Sequence, residues 1–331
     1  MKILFQARPD FMKNPAGDTV QIVSTGQALK ALGIEAHFSS DPNIDLSPYD
    51  LVHIFNITRI KESYMFFLNA QKQGKKIIIS PIYWPPNAYL KREGASSNAL
   101  AAWKHTQPMR ARLLRECDLL LPNSQIEMDV LHQDFLKIAD YHVAPNGFPD
   151  SFIGATPKLF REQFPNIPEE FVLSAARISP RKNQLWLAKT CHELGLALVL
   201  LGPVNDPNYY KSVLDFSNVT HIGTLQGQLL ASAYAAAKVH ALPSWFETPG
   251  LSSLEASACG TVVISTDQGS PKEYFQDMAL YVNPLDNTSL HTALEQSYNA
   301  SPLPLMQHIH KYYPWSRVAE ITLDAYNKVL G

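Results

Sequence analysis

The chain has 331 residues, of which 46% are hydrophobic and 18% charged, proportions of a globular protein that exclude a disordered polymer. A formal net charge of -2 and a pI near 6.6 leave no basic field of the kind that nucleic-acid binders carry. The length favours two domains, because a single core rarely grows beyond about 250–300 residues.

Cys117, Cys191 and Cys259 fall in no CxxC or zinc-ligand spacing, which suits reduced thiols in a cytosol. The opening MKILFQARPD lacks the basic stretch and apolar run of a secretory signal. No segment approaches the roughly 18 apolar residues of a membrane span. The expectation is a cytoplasmic, two-domain enzyme.

In chain order, short aliphatic or β-branched runs alternate with longer segments of helical period. The first half predicts strands over Lys2–Gln6, Glu35–Phe38, Asp50–Phe55, Lys76–Ser80, Asp118–Leu121 and Tyr141–Ala144. The second half predicts Phe171–Ala175, Ala197–Leu201, Val219–Ile222, Val239–Leu242, Val262–Ser265 and Ala279–Val282. These runs are apolar on both faces, as in parallel strands covered by helices on both sides. Helices are predicted over Thr19–Leu32, Asn183–Leu194, Gln226–Ala236, Leu285–Asn299 and Trp315–Leu330. The pattern is that of two doubly wound α/β domains facing across a cleft. Pro145-Asn146-Gly147 is a turn signal, and the Pro-rich stretch after it holds the boundary. The expected division is 1–160, 161–312, and a tail helix over 313–331.

Ligands of such sheets bind beyond the carboxyl ends of the strands, and three constellations lie there. After Val239–Leu242 a loop carries Glu247, Thr248 and Pro249 to a helix starting near Gly250 and Leu251, with Glu255 inside it. A helix N-terminus attracts phosphate. Two carboxylates beside a phosphate make chemical sense where sugar hydroxyls flank it, since carboxylates accept their hydrogen bonds. The alternative is a solvated Glu255 and a Glu247 favoured by the helix dipole. After Phe171–Ala175 come Arg177 and Lys182, a guanidinium fork and an ammonium suited to a diphosphate, or else a basic solvated loop. After the opening strand, Gly17 permits close approach of a ligand to backbone, and Asp18 or Thr19 can cap the following helix.

Neither GxGxxG nor a Walker-type phosphate loop occurs, which disfavours a nicotinamide enzyme or a P-loop nucleotidase. No Asp-x-Asp occurs either, so a carboxylate-held metal bridging a diphosphate is not expected.

Glu247 to Glu255 resembles the E-x7-E motif of retaining GT-B glycosyltransferases, the large family also described as glycosyl transferases group 1. The resemblance extends through SAARISPRKNQ with its R-x4-K, THIGTL, YAAAKVHALPS, GLSSLEASACGTVVIS and GSPKEYFQDMALYVNP. In the first half it covers MKILF, the AGDT loop, DLVHIFN, CDLLLPNS and VAPNGFPDSF. It is dense from Phe171 to Pro284 and thin across 81–116.

The resemblance implies a metal-independent transfer of a sugar from a nucleotide-sugar donor to a hydroxyl acceptor. Bacterial polysaccharide, lipopolysaccharide or glycolipid assembly is the setting it implies. Arg177 and Lys182 would bind the donor diphosphate, Glu255 the ribose, and Glu247 with Thr248 the donor sugar. The backbone of Gly250 and Leu251 would meet sugar or phosphate oxygens, Gly17 would lie under the diphosphate, and Gly223, Thr224 and Leu225 would hold the base. Asn123, Ser124 and Tyr83 are candidates on the acceptor side; Asn123 and Ser124 read equally as a helix cap. The tail helix would return to the first domain.

Two departures stand out. Pro249 occupies a position where many relatives have Phe, and Ile79–Trp84 contains no His where many relatives carry one. His53 reads as a buried structural residue. The basic stretch over residues 89–117 is either a face for anionic membrane or a solvated helix with its apolar side in the core. Rival functions are a nucleotide-sugar epimerase and a non-catalytic sugar-nucleotide-binding protein.

Overall fold

Two parallel sheets organise the chain. The structure is a computed structural model and describes residues 1–86, 89–90 and 97–331. The chain divides into two compact units: Met1–Gly147 with Trp315–Gly331, and Phe148–Pro314. The division falls at Gly147 rather than at residue 160, and the reason is packing. Phe148, Phe152 and Phe160 are buried in one cluster with Phe171, Leu173 and Tyr234 of the second unit.

The first unit contains β1 (Lys2–Gln6), β2 (Glu35–Ser39), β3 (Leu51–Phe55), β4 (Lys76–Ser80) and β5 (Leu119–Leu120), in the order β2-β1-β3-β4-β5. Every pairing is parallel. β3 is buried along its whole length, as expected of a strand covered on both faces. β2 is an edge strand and largely exposed, so its apolar residues do not mark burial on both sides. The predicted strand Tyr141–Ala144 is reduced to one bridge between Tyr141 and Leu120. Its neighbour β5 is short and runs toward Pro122, which has no N–H to continue the ladder.

The helix Gly17–Ala31 begins where Thr19 Oγ1 accepts from the Ala16 N–H at 3.1 Å. The tail helix Trp315–Leu330 buries Val318, Ala319, Thr322, Ala325 and Tyr326, and Ala319, Ala325 and Tyr326 join the core of Phe5, Ile22 and Leu29. It thus completes the first unit.

The second unit contains β6 (Val172–Ala175), β7 (Leu198–Leu201), β8 (Val219–Gly223), β9 (Val239–Leu242), β10 (Val262–Thr266) and β11 (Leu280–Val282). Their order is β11-β10-β9-β6-β7-β8, again parallel throughout. The order reverses at β6, which has β7 on one side and β9 on the other. Loops leaving β6 and β9 therefore diverge at the point where doubly wound sheets bind ligands.

Candidate functional site

The site is built by three loops at the carboxyl edge of the second sheet. The first leaves β6 through Arg177 into a 3-10 turn over Pro180–Lys182, ending on Asn183 at φ 60°. Gln184 clamps this turn. Its Nε2 donates to the Arg177 carbonyl at 2.9 Å, and its Oε1 accepts from the Ser179 N–H at 3.3 Å. Lys182 is thereby aimed at the second loop, which leaves β9 through Ser244 to Gly250.

Lys182 Nζ lies 2.5 Å from Glu247 Oε1, and Arg181 Nη1 is 3.7 Å from the same oxygen. Arg181 Nη1 also donates to the Phe246 carbonyl at 2.8 Å, while the Trp245 N–H donates to the Arg181 carbonyl at 3.0 Å. From the other side the Glu247 N–H donates to Gln268, and the Ser270 N–H donates to Glu247. Gly269, at φ 91°, fits only because it lacks a side chain; a Cβ there would stand 2.1 Å from the Glu247 carbonyl oxygen. Glu247 is thus fixed in main chain and side chain alike.

The charges follow from this enclosure. Burial pushes the Glu247 carboxyl upward, but Lys182 and Arg181 outweigh it and hold the pKa below its ordinary value. Burial draws the Lys182 ammonium down to about 8 against the pull of Glu247, with Arg181 and Arg177 adding to the fall. Beneath them His240 of β9 is fully buried, and burial lowers its pKa to about 3, so it is neutral at physiological pH.

Gly250, at φ 90°, caps the helix Leu251–Ala258. Glu255 lies within that helix, and Tyr234 donates its hydroxyl to Glu255 Oε2 at 2.9 Å. Burial raises the Glu255 pKa to about 7. The two glutamates therefore do not oppose each other as bare like charges. One is neutralised by Lys182, and the other is shared with a tyrosine.

Gly223, Thr224 and Leu225 stand at the end of β8, where the Gly223 carbonyl accepts from the Gly202 N–H at 2.8 Å. The structure thus brings Arg177, Lys182, Glu247, Thr248, Gly250, Leu251, Glu255 and the Gly223 turn to one edge of one sheet. Sequence reasoning missed Arg181, which pairs across two loops, Gln184, which braces its own turn, and Tyr234, which reaches Glu255 from a neighbouring helix.

In the first unit, Gly17 opens its helix and is exposed. The adjacent Asp18 is held by Arg8 at 2.8 Å and by Asn56 at 3.0 Å and accepts from the Thr19 N–H at 2.8 Å, so it is a braced carboxylate; the N-cap position is Ala16, whose N–H donates to Thr19 Oγ1. Ser124 caps the helix Gln125–Asp134 by accepting from the Glu127 N–H at 2.9 Å. Asn123 is buried beside it, its N–H donating to Glu127 Oε2 at 2.7 Å. Tyr83 is fully buried against Trp103 and Phe135, with its hydroxyl on Asp134 at 2.5 Å. It is a core residue, not one that presents itself to an acceptor. His53 is buried as expected, between Tyr326 at 2.7 Å and Ser80 at 2.9 Å.

Among the described residues of the basic stretch over 89–117, Arg110, Arg112 and Arg115 do not share one charged face. Arg110 is buried, its guanidinium 3.7 Å from the Trp103 ring centre and donating to the carbonyls of Ile57 and Thr58. Arg112 and Arg115 both pair with Glu116. Lys91 and Arg92 lie outside the described residues. Among the described residues no helix is long and apolar enough to cross a membrane, and no group of His, Cys, Asp and Glu side chains is arranged to hold a metal.

Two doubly wound parallel units with these strand orders define a GT-B fold. Residues 169–300, which lie within the second unit, match the family model described as Glycosyl transferases group 1. The chain is 28% identical over 199 residues to a D-inositol 3-phosphate glycosyltransferase of Paenarthrobacter aurescens, covering 57% of this chain and 46% of that protein. It is 26% identical over 202 residues to a mannosylfructose-phosphate synthase of Agrobacterium fabrum, covering 54% and 44%. The matched segments thus span about half the length of these curated relatives or less. Among solved structures, sucrose-phosphate synthase from Thermosynechococcus elongatus superposes with a TM-score of 0.81 at 18% identity, over 99% of this chain and 98% of that one. Anabaena HepE in complex with UDP-glucose superposes with a TM-score of 0.76 at 15% identity, over 99% and 100%.

Proposed function

We propose that the protein is a retaining glycosyltransferase that moves a sugar from a nucleotide-sugar to a hydroxyl acceptor without a metal. The observation that carries this reading is the convergence of Arg177, Lys182, Glu247 and the Gly250 helix terminus at one sheet edge, within a segment matching a glycosyltransferase family. The donor diphosphate sits against Arg177, Lys182 and the backbone N–H groups at Gly250 and Leu251. Glu255 takes the ribose hydroxyls, Glu247 the donor sugar, and the Gly223–Leu225 turn the base. The first unit takes the acceptor.

The difficult step is cleavage of the anomeric C–O bond as negative charge gathers on the departing diphosphate. Cations and amide dipoles fixed in advance around that charge are each worth about 3–4 kcal/mol. The acceptor oxygen bonds to the anomeric carbon on the face the diphosphate leaves, and the acceptor proton passes to a phosphate oxygen of the donor. Neither glutamate is assigned as a nucleophile: Glu247 is read as a partner of the donor sugar hydroxyls, and Glu255 is shared with Tyr234.

Support for a nucleotide-sugar comes from the HepE complex with UDP-glucose, and two relatives are named for phosphorylated products or acceptors. The test is a thermal-shift panel of UDP-, GDP-, ADP- and dTDP-sugars. A donor at 100 times its Kd stabilises by about 2.7 kcal/mol. The responding donor is then incubated with inositol phosphate and hexose phosphates, and product is read by mass. No response to any of the four overturns the reading. Epimerised donor in the absence of acceptor replaces it with an epimerase.

A further inference from the structure

Lys182 and Glu247 occupy each other in the ligand-free protein, yet the function proposed above needs both for different parts of the donor. When the ammonium turns to a diphosphate, Glu247 is left as a buried anion, its side chain only 7% exposed. A buried charge deprived of its partner is strongly destabilising. The arrangement therefore requires a second cation, and one is in place. Arg181 Nη1 stands 3.7 Å from the same Oε1 and is anchored to the Phe246 carbonyl at 2.8 Å. A guanidinium carries five N–H donors in a rigid fork, so Arg181 can keep the Phe246 carbonyl with one and bond Glu247 with another.

We propose that Arg181 is the relief counter-ion of Glu247, a positioning residue that takes over the carboxylate when Lys182 is handed to the donor diphosphate. Three features fit this role. Arg181 belongs to the same short turn as Lys182, so the two cations approach Glu247 from one side. The turn and the Glu247 loop are joined twice, through Arg181 Nη1 to the Phe246 carbonyl and through the Trp245 N–H to the Arg181 carbonyl. Of the other ionisable groups that act on Glu247, His240 is buried and neutral.

The proposal rests on the donor reading only for what draws Lys182 away, and deletion of the ammonium imitates that departure without a ligand. Unfolding temperatures are measured at pH 5 and pH 8 for Lys182→Met, Arg181→Met, the double variant, and Lys182→Met with Arg181→Lys. At pH 8 the double variant is expected to melt lower than the sum of the single losses by roughly 3–10 °C. At pH 5 the excess loss disappears as the stranded Glu247 takes a proton. Arg181→Lys in the Lys182→Met background keeps most of the stability. Adding Glu247→Gln to the double variant abolishes the excess loss, and restores folding if the double variant fails to fold. Additive losses at both pH values, or no rescue by Glu247→Gln, overturn the assignment. Since no donor is used, failure of the nucleotide-sugar panel and failure of this test are read separately.

Discussion

The Tyr234 hydroxyl and the Glu255 carboxylate, 2.9 Å apart and both buried, form a polar link between two helices that face the same sheet edge. Tyr234 belongs to Gly227–Ala236 and Glu255 to Leu251–Ala258. Burial raises the carboxyl from 4.5 to about 7. The folded-state pKa thus lies above the unfolded one, so the contribution to stability is complete below 4.5 and is lost as pH rises through 7. The loss is on the order of 3 kcal/mol. Glu255→Gln should therefore be as stable as the parent at pH 5 and more stable at pH 8, as measured by urea denaturation. Equal stability differences at the two pH values would refute the assignment.

The same pair bears on donor affinity. A ribose changes little between ground and transition states, so removing its partner is a loss of uniform binding. Glu255→Ala should raise donor KM roughly 10–150-fold, the equivalent of about 1.5–3 kcal/mol for a charged hydrogen bond, with kcat less affected. Initial rates at varied donor concentration decide it.

Glu247→Ala should act on kcat instead, because the proposed donor pose sets its negative charge by the carbon that becomes cationic. Glu247→Gln separates positioning from charge: if it restores the alanine variant's kcat fully, the charge contributes nothing to the transition state. Unchanged kcat and KM in both alanine variants would remove the two glutamates from the site.

Lys182, with its pKa drawn to about 8, should take up a proton when a diphosphate arrives, since an adjacent anion favours the ammonium. Calorimetry of UDP binding at pH 8.5 in two buffers of different ionisation enthalpy should give heats that differ accordingly, and heats independent of buffer would exclude it. Arg177→Ala and Lys182→Ala should each lower kcat by about 10²–10³-fold. Chelation of divalent metals should leave turnover unchanged, whereas full dependence on added Mg²⁺ or Mn²⁺ would show another means of neutralising the diphosphate.

Arg110→Met should lower stability by about 2–4 kcal/mol, because the Ile57 and Thr58 carbonyls lose their donors together with the Trp103 stacking. Denaturation midpoints test this against Arg115→Met, which exposes no such groups and should cost little.

Much of the sheet framework was legible because parallel strands buried on two faces read as unbroken apolar runs, as in β3, β4 and β10. The helix over Trp315–Leu330 was legible in full, since its apolar residues keep one helical stripe. The failures have local causes. β2 sits at an edge, where Phe38 remains partly exposed, and Tyr141–Ala144 faces a proline that ends its ladder. Arg110 resembled a surface residue, as Arg112 and Arg115 are, because charge in a sequence carries no sign of its partner. Their partners lie on Trp103, two carbonyls of another loop, and Glu116. The residues at this sheet edge were singled out by motif, but their pairing was not. Nothing in the spacing of Lys182 and Glu247 says that they neutralise one another, or that Tyr234 reaches Glu255.

The placement of Trp315–Leu330 in the first unit makes the second unit an insertion whose two ends meet. The Phe148 N–H donates to the Tyr313 carbonyl at 3.0 Å, and Phe148 bridges Pro314. On the ribosome, residues 148–314 can close their own core as soon as they emerge. Residues 1–147 cannot, because the Tyr326 hydroxyl that meets His53 belongs to a helix made only after residue 314. The half that is synthesised first is thus completed last, and a nascent chain halted before residue 315 exposes the apolar flank of Phe5, Ile22 and Leu29 to chaperones.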